Sequence, residues 1–168
     1  MNIDGPGYLL QLAALSLSFV GFSSIIVTLR SALGGELSEK HLRLVRLYIE
    51  TGLAVTVLSL VPTLLALLGM PVRAMWQCAS ATAGSLLTLL MIIQFRRRRL
   101  VEGRFPAWVV VVYLTSATAI LALWLNVFGI PYGPGVAAYA IALTWGLFVS
   151  GYIFLRTLEL FLRASSQK

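Results

Sequence analysis

Charge is what this chain has least of. Only 11% of its residues are Asp, Glu, Lys or Arg, against about 25% in ordinary soluble domains, so a soluble fold would lack the polar surface to cover itself. There is one cysteine, Cys78, which excludes an intramolecular disulfide. With one histidine, His41, and that one thiol, a zinc site of the usual multi-ligand kind cannot be built within one subunit. No Lys or Arg precedes the first apolar run, so the basic region that opens a secretory signal is missing and that run is expected to be a retained span. Acids are equally scarce. No apolar stretch holds a pair of carboxylates, a Ser–His–Asp set or a Gly-rich phosphate loop. Intramembrane lipid-modifying enzymes cluster acids or histidines around metal and phosphate, so the chain is expected to be a non-enzyme without metal or cofactor.

What fills the sequence instead is apolar: 59% of 168 residues. That length suits a single domain covering residues 1–168. A helix needs about 20 mainly apolar residues to cross the hydrocarbon core, and five stretches qualify: 8–29, 47–70, 75–95, 107–130 and 136–155. Backbone groups in lipid must bond within their own segment, so these are helices rather than open strands. A barrel would show shorter alternating segments. The fold class is therefore an all-α polytopic bundle of five transmembrane helices. Gly34-Gly35, Gly69 to Pro71, Phe105-Pro106 and the run Gly129 to Gly135 punctuate it. The short links make sequential helices antiparallel neighbours. No internal repeat is visible, and an odd span count argues against two equal inverted halves.

The net charge of +7 is unevenly placed. Arg30, Lys40, Arg43 and Arg46 follow the first span, Arg96 to Arg99 and Arg104 the third, and Arg156, Arg163 and Lys168 the fifth. The other side has only Arg73, so twelve of thirteen basic residues share a side. The positive-inside rule makes that side cytoplasmic and puts the N-terminus outside. Placement between spans fits membrane topology, not nucleic-acid binding. Tyr8, Trp76 and Tyr132 outside, with Tyr48 and Trp108 inside, are expected in the aromatic belts. Residues 38–46 are expected to extend the second helix along the cytoplasmic surface, with Ser38 as a cap and Leu37, Leu44 and Tyr48 toward lipid.

Each span carries small or polar residues at helical spacing. The stripes are Gln11, Ala14, Ser18, Gly21 and Thr28; Gly52, Thr56, Ser59 and Thr63; Gln77, Ala81, Gly84 and Thr88; Thr115, Ala119, Ala122 and Asn126; and Ala138, Ala142, Gly146 and Ser150. Such faces let backbones approach and hydroxyls bond across the contact; the other reading is a polar lining for a path. Glu50 is the only carboxylate near the hydrocarbon region. Pairing with Arg46, Arg43 or Arg30 competes with a gating or proton-linked role. Pro62 removes a hydrogen bond in the second span and frees the carbonyl of Leu58. Arg96, Arg97, Arg98 and Arg99 suit both topology and anionic lipid headgroups, each worth ~1 kcal/mol near an anionic surface. Gln11 and Asn126 lie toward the outer ends of their spans, Trp145 is expected to pack beside Gly146, and His41 to be solvated at the interface.

The segments Phe19 to Arg30 and Leu42 to Leu53, the latter continuing to Leu60-Val61-Pro62, resemble a family of small bacterial membrane proteins of uncharacterised function. The resemblance covers the first two spans and implies a bacterial inner membrane location; it supplies no activity or site role. The sequence as a whole suggests a homo-oligomeric, channel-like protein. The alternatives are a non-conducting accessory or scaffold subunit, or an anionic-lipid-sensing module. Cysteine labelling checks the orientation: a probe at position 133 should react from outside the cell and one at position 100 should not.

Overall fold

The computed structural model describes residues 5–32, 39–99, 107–130 and 133–165. Those residues form five helices: α1 (Gly5–Ala32), α2 (Glu39–Leu67), α3 (Val72–Arg99), α4 (Ala107–Phe128) and α5 (Val136–Ser165). Each is long and apolar enough to cross a membrane. Even α4, with 22 residues, reaches about 33 Å at the helical rise, against ~30 Å of hydrocarbon. No strand occurs among the described residues. Large apolar side chains such as Leu15, Phe22, Val57, Leu64, Leu114, Ile141 and Phe148 face outward, as a protein solvated by acyl chains requires. The helix expected over 38–46 begins at Glu39. Ser38, Gly34-Gly35, Phe105-Pro106 and Tyr132 lie outside the described residues.

The two tight links at one end, here the turn end, share one closure. Gly69 and Gly129 adopt φ of 74°. Gly69 and Met70 donate back to Ala66 and Leu65, and Gly129 and Ile130 to Asn126 and Leu125. This is the Schellman arrangement, which needs a residue free of a Cβ at the left-handed position. Asn126 then clamps the second link: its Nδ2 donates to Ser80 Oγ and the Gly135 carbonyl, and its Oδ1 accepts from the Gly135 N–H at 2.9 Å.

Helices α2, α3, α4 and α5 form a ring in that order, with α1 packed outside on α2 and α5. At the turn end the centre is filled. Leu58, Trp76, Ala79, Leu123, Tyr139 and Leu143 are buried together, joined by Leu9 and Leu12 of α1. Trp76 and Tyr139 meet at 5.8 Å between ring centroids, so Trp76 is a core residue, not the interfacial aromatic the sequence suggests. At the opposite, basic end a second cluster gathers on the α1 side. There Tyr48 packs edge-on against Phe154, which packs edge-on against Phe19. Tyr48 is 1% exposed, so its expected lipid-facing position is corrected: α5 and α1 cover it.

Pro62 lies inside α2, and the helix continues through it. The carbonyl of Leu58 that it strips of a partner accepts instead from Tyr139 Oη at 2.6 Å. Removing that hydroxyl should leave a buried carbonyl short of a partner. Tyr139→Phe is expected to lose about 0.5–1.5 kcal/mol of stability, the range of interhelical hydrogen bonds in membranes, read as a lowered unfolding midpoint in detergent.

Candidate functional site

Several of the residues singled out in the sequence sit at helix contacts, among them Gln77, Asn126, Ser150, Gly52, Gly84 and Gly146. Ser16 Oγ and Thr56 Oγ1 both donate to the Gly52 carbonyl, and Ser150 Oγ donates to that of Tyr48. A Cβ on Gly52 would collide with Val20 Cγ2, so the glycine sets how closely α1 approaches α2. Gly146 faces Val55, and Gly84 faces the Trp124 ring. Thr56 and Ser59 are buried, and the hydroxyls of Ser59 and Thr63 are shielded without a hydrogen-bond partner. Within one subunit the stripe of α2 is thus a helix contact. Gln11 and Ser18 lie elsewhere, exposed on the outer face of α1. Asn126 is buried in the turn-end clamp.

The features not absorbed by packing collect at the basic end. Glu50 Oε1 accepts from Arg46 Nε at 2.6 Å along α2 and from Arg97 Nη1 of α3 at 3.4 Å. The first bond matches a pairing expected from the sequence. The second ties two helices and was not foreseen, because nothing in one chain's spacing says which residue of α3 stands beside Glu50. Trp108, in the first turn of α4, draws in two more cations. The Arg98 guanidinium lies 5.4 Å from its ring centroid and that of Arg156 5.9 Å away. Tyr152 stacks edge-on to Trp108 and accepts from Arg156 Nε at 3.2 Å. Arg156 also meets Glu159. Arg96 is exposed; the side chain of Arg99 lies outside the described residues, as do those of Arg30, His41 and Arg43. Among the described side chains of this end, Arg46, Arg96, Arg97, Arg98 and Arg156 face only two carboxylates, Glu50 and Glu159.

A cavity of about 100 Å³ leads inward from this cluster. Arg98, Gln94 and Trp108 line it at the charged end; Thr51, Tyr113 and Ser116 add scattered polar atoms, and Ala142, Trp145 and Gly146 line its depth. Trp145 is therefore a cavity wall beside Gly146, stacked on Phe148 at 6.1 Å. Gln94, Tyr113 and Ser116 carried no signal in the sequence, being single polar residues in apolar runs. No group of His, Cys, Asp and Glu able to hold a metal occurs among the described residues. Chemically the arrangement offers guanidinium donors beside a largely apolar recess. No family model, curated protein or solved structure matches the chain.

The Glu50 bridge is partly exposed, 26% at the carboxylate and 48% at Arg97, so its worth is screened. Glu50→Gln should lower stability by only about 0.2–1 kcal/mol. The loss should shrink in high salt, which melts at two ionic strengths would show; a larger, salt-insensitive loss would mean the carboxylate does more than brace.

Proposed function

We propose that this protein is a multi-pass membrane protein that recognises anionic lipid-like molecules at its basic end. The observation that carries this reading is the ordered arginine set around Trp108 and Glu50 at the mouth of an apolar cavity. A guanidinium presents a planar fork suited to carboxylate and phosphate oxygens, and the segments on this side hold twelve basic residues against five acids, Glu36, Glu39, Glu50, Glu102 and Glu159, a net positive surface. The positive-inside rule places this end at the cytoplasmic leaflet, where anionic headgroups concentrate. The resemblance of the first two spans points to a bacterial inner membrane.

A second reading, self-association with a permeation path between subunits, is favoured by the outward face of α1. Gln11, Ser18 and Gly21 are exposed there, and nothing stands within 4 Å of where a Gly21 Cβ would be. In that reading the path would lie between copies of α1, since the hydroxyls of Thr56 and Ser59 are enclosed within one subunit.

Native mass spectrometry from nanodiscs of mixed phosphatidylglycerol and phosphatidylcholine tests both. The parent protein should retain phosphatidylglycerol preferentially, and combined Arg96→Gln, Arg97→Gln and Arg98→Gln should erase the preference at about 1 kcal/mol per arginine. An unchanged preference would refute lipid recognition by this cluster. The same spectra report stoichiometry: a single defined oligomer supports the second reading and a monomer removes it.

A further inference from the structure

The cavity lies on the axis of the four-helix ring rather than on its lipid-facing surface. Its lining comes from α2, α3, α4 and α5 together. Helices α2 and α4, at opposite corners of the ring, make no close approach, and the void occupies the gap between them. Along α3 the lining runs from Arg98 to Leu87, eleven residues or about 16 Å of helix, close to half of the ~30 Å hydrocarbon thickness. Beyond it the turn-end core around Leu58, Leu123 and Leu143 closes the axis. The recess is therefore blind, narrow, apolar in its depth and cationic at one end.

Resting on the anionic-lipid reading above, we propose that this axial cavity holds the tail of a single-chain anionic amphiphile whose acid head sits against Arg98 and Gln94. Three observations select that class. A recess enclosed by four helices admits one tail and not the two of a phospholipid. Its volume, about 100 Å³, is below the ~150 Å³ that accommodates benzene, so the resting void takes a few carbons. Met91 and Trp145 stand in the wall, and an unbranched thioether turns readily to admit more. At the charged end, Arg98 and Arg156 share one indole ring. Together they make this end cationic, with Arg156 also meeting Glu159, and a guanidinium suits an acid head and disfavours a cationic one. Gln94 adds an amide donor one helical turn deeper on the same face as Arg98.

The intact protein in mild detergent, titrated with decanoate and followed by native mass spectrometry, tests this. One decanoate per chain should bind at saturation, with decyltrimethylammonium at least about tenfold weaker; a series from hexanoate to hexadecanoate should gain affinity and then level off once the recess is full. Arg98→Gln should weaken decanoate about tenfold, the worth of one charged hydrogen bond. Ala119→Phe and, separately, Ser116→Leu should fill the recess and remove the one-to-one adduct while leaving the phosphatidylglycerol preference of the surface arginines intact. A decanoate analogue with a photoactivatable tail should label the peptides containing Met91 and Trp145 in the parent protein, a readout independent of any variant's folding. Labelling confined to outward-facing residues, or decanoate binding unaltered in both filled variants, would overturn the slot while leaving headgroup recognition standing. Loss of phosphatidylglycerol in both filled variants would assign the recess to a phospholipid chain instead. Persistence of both ligands without Arg96, Arg97 and Arg98 would remove the wider reading.

Discussion

A helix in lipid has no water to complete an unpaired backbone group, and in this bundle side chains on neighbouring helices supply what water would. The clearest case is the carbonyl of Leu58, which loses its helical partner to Pro62 and is served by Tyr139 from α5. Two other carbonyls of α2 take an additional bond across the bundle, Gly52 from Ser16 of α1 and Tyr48 from Ser150 of α5. Helix α2 is thus fastened on one flank at three heights, and that flank faces α1 and α5. The arrangement depends on Gly52, because a larger residue would push Val20 and the whole of α1 outward, beyond reach of the Ser16 hydroxyl.

This one-sided fastening explains why the ring is closed at one end and hollow at the other. At the turn end the large rings of Trp76 and Tyr139 span the axis, and Asn126 pins the start of α5 to α4 and α3. At the basic end, Tyr48, Phe19 and Phe154 draw α5 toward α1 and α2. On α4, Trp108 and Tyr113 line the space they vacate without filling it. The residues that α4 and α5 turn inward there include Ser116, Ala119, Ala142 and Gly146. Of α4, only Val109, Leu123 and Asn126 are buried, so it is the wall least committed to the core.

Five helices and the breaks at Gly69 and Gly129 were legible in the sequence because length, apolarity and glycine placement are local properties, and the Schellman closures there are their direct expression. The consequence of Pro62 was legible to the level of the freed Leu58 carbonyl, since it follows from covalent structure alone. Its rescuer was not, because Tyr139 is 81 residues away. The same limit hid the Arg97–Glu50 bridge and the cavity. Small residues at helical spacing mark a face without naming what covers it: the α2 stripe is enclosed, whereas the α1 stripe, also of small and polar residues, faces outward. Tyr48 and Trp76 were misassigned to the aromatic belts for a related reason, as a ring near a helix end reads as interfacial until a neighbouring helix is placed over it.

The arrangement of the arginines separates topology from recognition. Orientation of a membrane chain asks only that positive charge stay on one side, and places no demand on where any guanidinium points. Solvated, mobile side chains satisfy it fully. Here Arg97 is drawn across to Glu50 on another helix, and Arg98 and Arg156 come from two helices to the same indole on a third. Holding a long side chain in one place costs up to about 2 kcal/mol of rotamer freedom, and gathering like charges adds repulsion. Glu50 and Glu159 recover part of that cost for Arg97 and Arg156. Arg97, Arg98 and Arg156, each set against a partner on another helix, therefore carry most of the proposed recognition, with Arg96 exposed beside them.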